Sequence, residues 1–107
     1  MHDPQEEDPL MPAERPQAVP TVKIDNERVC VTEWRFAPGA ETGWHRHGFD
    51  YTVVPITTGR LLLETASGNN YAELKTGAPY FRNVGVEHNV INANDFEFVF
   101  IEIESKP

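Results

Sequence analysis

The spacing of turn signals constrains this chain more than any other feature. From Thr21 onward, Pro38-Gly39, Thr58-Gly59, Ser67-Gly68-Asn69-Asn70 and Thr76-Gly77 interrupt the sequence at short intervals. No apolar pattern with a 3.6-residue period survives for the three turns of a typical helix. Between the interruptions lie short runs rich in β-branched and aromatic residues, at 21–24, 29–36, 44–47, 51–57, 60–65, 71–74, 79–82, 87–92 and 97–104. Such runs, bounded by turn residues, predict about eight to ten short strands and an all-β domain. With under ninety residues available, a small closed barrel or jelly roll buries the most core per residue. Pro55 cannot donate to a ladder, so an edge position or a bulge is expected there. Phe98, Val99, Phe100 and Ile101 make both faces of the last run apolar, which predicts a central strand covered on both sides.

Residues 1–20 differ from the rest. They hold Pro4, Pro9, Pro12, Pro16 and Pro20, no aromatic residue, and five acids against Arg15 alone. Such a segment buries too little surface to offset its ordering entropy, so a flexible Pro-rich acidic arm is expected at 1–20, with a single barrel domain at 21–107. The net charge of −8 repels phosphate backbones and anionic lipid, which argues against nucleic acid and membrane surfaces as partners. One cysteine, Cys30, cannot form an internal disulfide. The chain shows no basic-then-apolar leader pattern, so a cytoplasmic protein is expected.

Three of the four histidines fall in the strand region. His45 and His47 are two apart, and on a strand residues i and i+2 share a face. Their imidazoles would stand side by side, about 6–7 Å apart at Cα. His88 lies far along the chain, and barrel closure could bring it opposite the pair. Three neutral imidazoles would leave open positions on a bound Fe, Zn, Ni, Mn or Cu ion.

The residues around them form two patterns. Gly39 is followed after five residues by His45-Arg46-His47, and Gly59 follows at a fixed later spacing. Gly77 is followed by Asn83, Gly85, His88 and Asn92 at intervals of five, one, two and three residues. These segments resemble the two sequence motifs of the cupin superfamily. The stretches Thr32-Glu-Trp-Arg-Phe-Ala-Pro-Gly39, Gly43-Trp-His-Arg-His-Gly48 and Gly85-Val-Glu-His-Asn-Val-Ile-Asn92 are similar, more narrowly, to the small cupins labelled as β-alanine-degradation proteins. The resemblance implies a double-stranded β-helix with one divalent transition metal on His45, His47 and His88. It also implies an enzyme, dioxygenase-like or a metal-assisted lyase or isomerase, or else a non-catalytic metabolite-binding module.

Two positions depart from the motifs. Asn83 stands where the second motif has Pro, and the Glu of the first motif is missing. Its place falls on Thr52 or Tyr51 according to spacing, with Asp50 as a nearby carboxylate, so water or substrate is the expected occupant of the open positions. Arg82 is read either as a clamp for a substrate carboxylate or as a surface ion-pair partner, the second being favoured. Tyr51 is read either as a cavity acid that orients substrate or as a residue at the sheet surface, again with the second favoured. Trp44 is expected to pack between sheets or at a subunit contact. On run 29–36, either Trp34 or the Glu33/Arg35 pair must face inward. A small sheet with an open edge is a pairing hazard, so a homodimer is expected. A small-molecule substrate or ligand is the expected partner.

Overall fold

The computed structural model describes residues 15–107. Nine strands form: β1 (Val19–Asp25), β2 (Val29–Phe36), β3 (His45–Arg46), β4 (Asp50–Pro55), β5 (Gly59–Thr65), β6 (Gly68–Leu74), β7 (Tyr80–Arg82), β8 (Glu87–Asn92) and β9 (Phe98–Ser105). They build two facing antiparallel sheets, one in the order β1-β2-β9-β4-β7 and the other in the order β3-β8-β5-β6. This is the all-β jelly roll expected, and β9 is the central strand of its sheet.

Side-chain alternation sets the interior. In the five-stranded sheet, cross-strand register stacks inward residues into rungs. Phe36 faces Phe98, and Trp34, Phe100 and Pro55 form the next rung. Then come Thr32, Glu102, Val53 and Tyr80, followed by Cys30, Glu104, Tyr51 and Arg82. The first rungs are apolar and packed, with Phe36, Phe98 and Leu61 among the most buried side chains and the Phe36 and Phe100 rings 5.4 Å apart. The later rungs are polar and line a cavity. The inner face of β9 therefore changes along its length from barrel floor to cavity wall.

Local details depart from expectation for physical reasons. Pro55 ends β4, which lies between two strands. The β7 partners stop at Val53, and beyond them Pro55 O accepts the Gly77 N–H at 3.0 Å, so the missing Pro55 N–H costs no ladder bond. The turn expected at Ser67-Gly68-Asn69-Asn70 is tighter than its four residues suggest. Thr65 pairs with Gly68 and the reversal is Ala66-Ser67, while Asn69 and Asn70 are strand residues opposite Glu64 and Leu63. The Thr65 hydroxyl donates to Gly68 O at 2.7 Å, and Gly68 adopts φ +125°, which favours glycine. Trp44 is 54% exposed and does not pack between the sheets.

The expected arm needs a correction at its end. Residues 1–14 lie outside the described residues, but 15–20 belong to the domain. Gln17 bridges to Glu41, the Ala18 N–H donates to Glu41 O at 2.8 Å, Ala18 is buried, and β1 has begun by Val19. Composition argued against burial here. Pairing with the loop before β3 and charge contacts of Arg15 supply what apolar surface does not.

Candidate functional site

β3 is only two residues long, yet it brings the histidines together. His45 pairs directly with His88 across the β3–β8 ladder. Beyond β3 the pairing continues, with the His47 N–H on Val86 O at 2.9 Å and the Gly85 N–H on His47 O at 2.8 Å. The separation of i and i+2 puts His47 on the same inner face. The three Nε2 atoms converge, at 3.0 Å between His45 and His47 and 3.1 Å between His47 and His88. The three residues form a group able to hold a metal ion.

Tautomer chemistry explains what this cluster wants. His45 Nδ1 lies 2.9 Å from Gly43 O, which can only accept, so Nδ1 carries the proton and Nε2 presents a lone pair. Burial, followed by the neighbouring imidazoles, lowers the His47 pKa to about 3. Burial, then His45 and then Arg82, lowers that of His88 to about 4. Both are therefore neutral at pH 7. His45, His47 and His88 would together hold one ion through Nε2, leaving further positions on it for water or substrate. Three neutral nitrogens suit Fe, Ni, Mn, Cu or Zn better than Mg or Ca.

A polar network on the far side of β8 holds the His45 loop. Alternation turns Asn89 away from the cavity, and its Oδ1 accepts the Gly43 N–H at 2.9 Å. Its Nδ2 donates to Glu41 at 2.8 Å and to Glu64 at 3.0 Å. Arg15 binds both carboxylates, Glu41 and Glu64, each at 3.1 Å. The order Arg15, Glu41/Glu64, Asn89, Gly43, His45 thus runs from the N-terminal segment to the metal-facing imidazole.

The place of the missing motif Glu is resolved by alternation in β4. Asp50 and Thr52 face away from the cavity, and the Asp50 carboxylate accepts the Val84 N–H at 2.8 Å. Neither lines the site. Tyr51 points inward, only 2% exposed, with its ring stacked on His47 at 3.8 Å. The sheet-surface position favoured from sequence is thereby corrected. Burial raises its phenol pKa above the ordinary range, so the hydroxyl stays protonated.

Arg82 also lines the cavity, its guanidinium over the Tyr80 ring at 5.2 Å. Among the described residues no carboxylate lies within ion-pair distance of it, so the surface ion pair favoured from sequence does not form. Trp34 is the inward member of its strand. Arg35 lies outside, paired with Glu33 and Glu97.

Sequence reasoning missed Glu102, Glu104 and Tyr80. Glu102 Oε2 lies 3.9 Å from His47 Nδ1, beyond hydrogen-bond range. Burial, then Glu104, raises the Glu102 pKa to about 7 against an opposing Trp34 hydrogen bond. The signal was present, since residues 98, 100, 102 and 104 share one face of β9. Together these groups enclose about 620 Å³, within the range of small-molecule sites.

No protein-family model matches the chain. It is 67% identical over 92 residues to the β-alanine degradation protein BauB of Pseudomonas aeruginosa, covering 86% of this chain and 97% of that protein. A crystal structure of a cupin domain from Bordetella pertussis is 66% identical, with a TM-score of 0.87 over 88% of this chain and 98% of that one. A double-stranded β-helix protein from Klebsiella pneumoniae, 22% identical, covers 83% of this chain and 76% of its own with a TM-score of 0.70, and shares the fold. High identity to BauB along nearly its whole length, the matching cupin structure and the two-sheet barrel lead to one conclusion: the chain belongs to the small single-domain cupins related to BauB.

Proposed function

We propose that this protein is an enzyme that binds one divalent transition metal on His45, His47 and His88 and acts on a small carboxylate or oxygen-bearing metabolite. The observation that carries the reading is the convergence of three Nε2 atoms at the wall of a cavity of about 620 Å³. A bound metal would supply a Lewis acid or an oxygen-activating centre, fitting a dioxygenase-like reaction or a metal-assisted lyase or isomerase. The chain's own residues do the rest. Arg82 takes a substrate carboxylate, since a guanidinium matches it with two parallel hydrogen bonds. Tyr51 keeps its proton and offers it as a donor to a substrate oxygen. Glu102 lines the cavity beside His47 and offers its carboxyl group to polar groups of the substrate. Trp34 and Phe100 exclude water from the inner end.

The name of the BauB relative supports a place in β-alanine degradation. A cytoplasmic homodimer completes the proposal. The dimer is supported by the exposed edge strand β1, where Val19, Val22 and Ile24 are each about half exposed or more.

The test is metal-reconstituted protein incubated with short hydroxy, keto and amino acids, followed by NMR. The expected result is a product whose formation is lost in His45→Ala. Ligand-induced stabilisation with no product from any compound would instead establish a non-catalytic binding module, the reading that the missing motif Glu favours.

A further inference from the structure

The cavity wall opposite the histidines carries charges of both signs that do not neutralise one another. Arg82, Tyr51 and Glu104 occupy a single rung across three adjacent strands. Arg82 and Glu104 are therefore two strand spacings apart, about 9.6 Å at the backbone. Both side chains enter the same cavity. Among the described residues neither has an opposite charge within 4.0 Å. Glu102 stands next to Glu104 on the same face, and a carboxylate oxygen of each lies within 4.8 Å of the other and of a His47 ring nitrogen.

That spacing has a chemical meaning. A tetrahedral ammonium donating to two oxygens at about 2.8 Å holds them about 4.6 Å apart. The oxygens of Glu102 and Glu104 are within that reach. Arg82 sits at the solvent-exposed rim of the cavity, where a lone cation would leave its guanidinium to water, and a lone carboxylate would leave the two acids without a cation. A ligand bearing both groups matches the whole rung, with Tyr51 beneath its carbon chain.

We infer that the cavity selects a short zwitterionic amino acid, whose carboxylate binds Arg82 and whose ammonium bridges Glu104 and Glu102. This rests on the reading of the cavity as a ligand site and narrows its small carboxylate to an amino acid. The gap between the charged heads sets the number of carbons between amine and carboxylate, which a chain-length series reads directly.

The experiment is calorimetric titration of the metal-loaded full chain with glycine, 3-aminopropanoate and 4-aminobutanoate. Propanoate and propylamine, which each keep one of the two charges, are titrated beside them. At least one amino acid is expected to bind roughly tenfold or more tightly than either single-charge analogue, as loss of a charge-assisted hydrogen bond implies. Glu104→Gln is expected to weaken that amino acid by a similar factor while leaving propanoate no weaker, since the charge removed repels a carboxylate. Glu104→Asp should weaken it less, and thermal melting checks that both variants fold. Propanoate binding as tightly as every amino acid would overturn the inference, as would an unchanged affinity in Glu104→Gln or no amino-acid binding at all. A second equivalent of divalent metal lost in Glu104→Gln would also overturn it, by making the acids a metal site. Metal content is measured on the same samples, so failure here leaves the three-His centre standing or falling on its own result.

Discussion

Replacing Arg15 with Met should destabilise the domain by about 2 kcal/mol, far more than a terminal residue usually costs. Arg15 holds two carboxylates, each at 3.1 Å, and one of them, Glu41, has a side chain only 11% exposed. At an effective dielectric of about 20, charges about 4 Å apart attract by about 4 kcal/mol before desolvation. Arg15 and Glu64 are about one-third exposed, so solvent screening removes much of that gross value. The net lies between the exposed-pair limit of about 1 kcal/mol and the 3–5 kcal/mol, roughly, of a broken buried pair. Methionine keeps most of the apolar stem, so the loss is chiefly charge. Two carboxylates would then share Asn89 with no cation between them.

Urea denaturation of wild type, Arg15→Met and Arg15→Met/Glu64→Gln measures this. In thermal unfolding the melting temperature of the single variant should fall by about 10 °C. The double variant should recover part of the loss, because one repelling charge is gone. The arginine hydrogen bond, followed by that from Asn89, holds the Glu64 pKa below its ordinary 4.5. That stabilisation is complete above pH 4.5 and disappears as pH falls through the lower folded value, so the gap between wild type and Arg15→Met should narrow on acidification. A cost below about 0.5 kcal/mol, or a double variant weaker than the single, would refute the network as a structural element.

Other consequences follow from the same geometry. Metal-free protein should lose stability as pH falls from 6.5 towards 4: His47 and His88, lowered in the folded state, resist protons that the unfolded chain accepts. Glu102, raised to about 7, opposes this as one group against two, and urea midpoints at pH 7 and pH 5 check the sign. Asn89→Ala should weaken metal affinity by about tenfold or more through the Gly43–His45 loop, read by chelator competition; unchanged affinity would remove its positioning role. Leu61→Ala, at a side chain 1% exposed in the core, should cost about 2–5 kcal/mol in urea denaturation. Gly59→Ala should also destabilise, since a Cβ there would sit 2.9 Å from the Asn94 amide, whose group bonds Arg60 N and O; an unchanged melting temperature would show that Asn94 moves freely.

Strand positions along the chain and the histidine pair were legible because alternation and turn residues are local properties. Two runs, at 29–36 and 87–92, coincide with their strands residue for residue. What alternation alone could not settle was which of two faces looks inward. For Tyr51 and Trp34 that choice depends on pairing with β9 and β7, a non-local fact. Arg82 misled for another reason: an acidic chain suggested abundant surface partners, yet register places it at the exposed rim of the cavity. Glu102 and Glu104 were hidden by the aromatic residues preceding them on the same face. Arg15 was read from the composition of its neighbours, whereas its position depends on two carboxylates on distant elements, Glu41 and Glu64.

The central claim is the three-histidine metal centre, and elemental analysis tests it most directly. Untagged protein purified without chelator is compared by plasma mass spectrometry with a His45→Ala/His88→Ala variant. The account expects about one Fe, Mn, Ni, Cu or Zn ion per chain in wild type and loss of that ion in the variant. Metal no higher in wild type than in the variant, even after reconstitution, would contradict it.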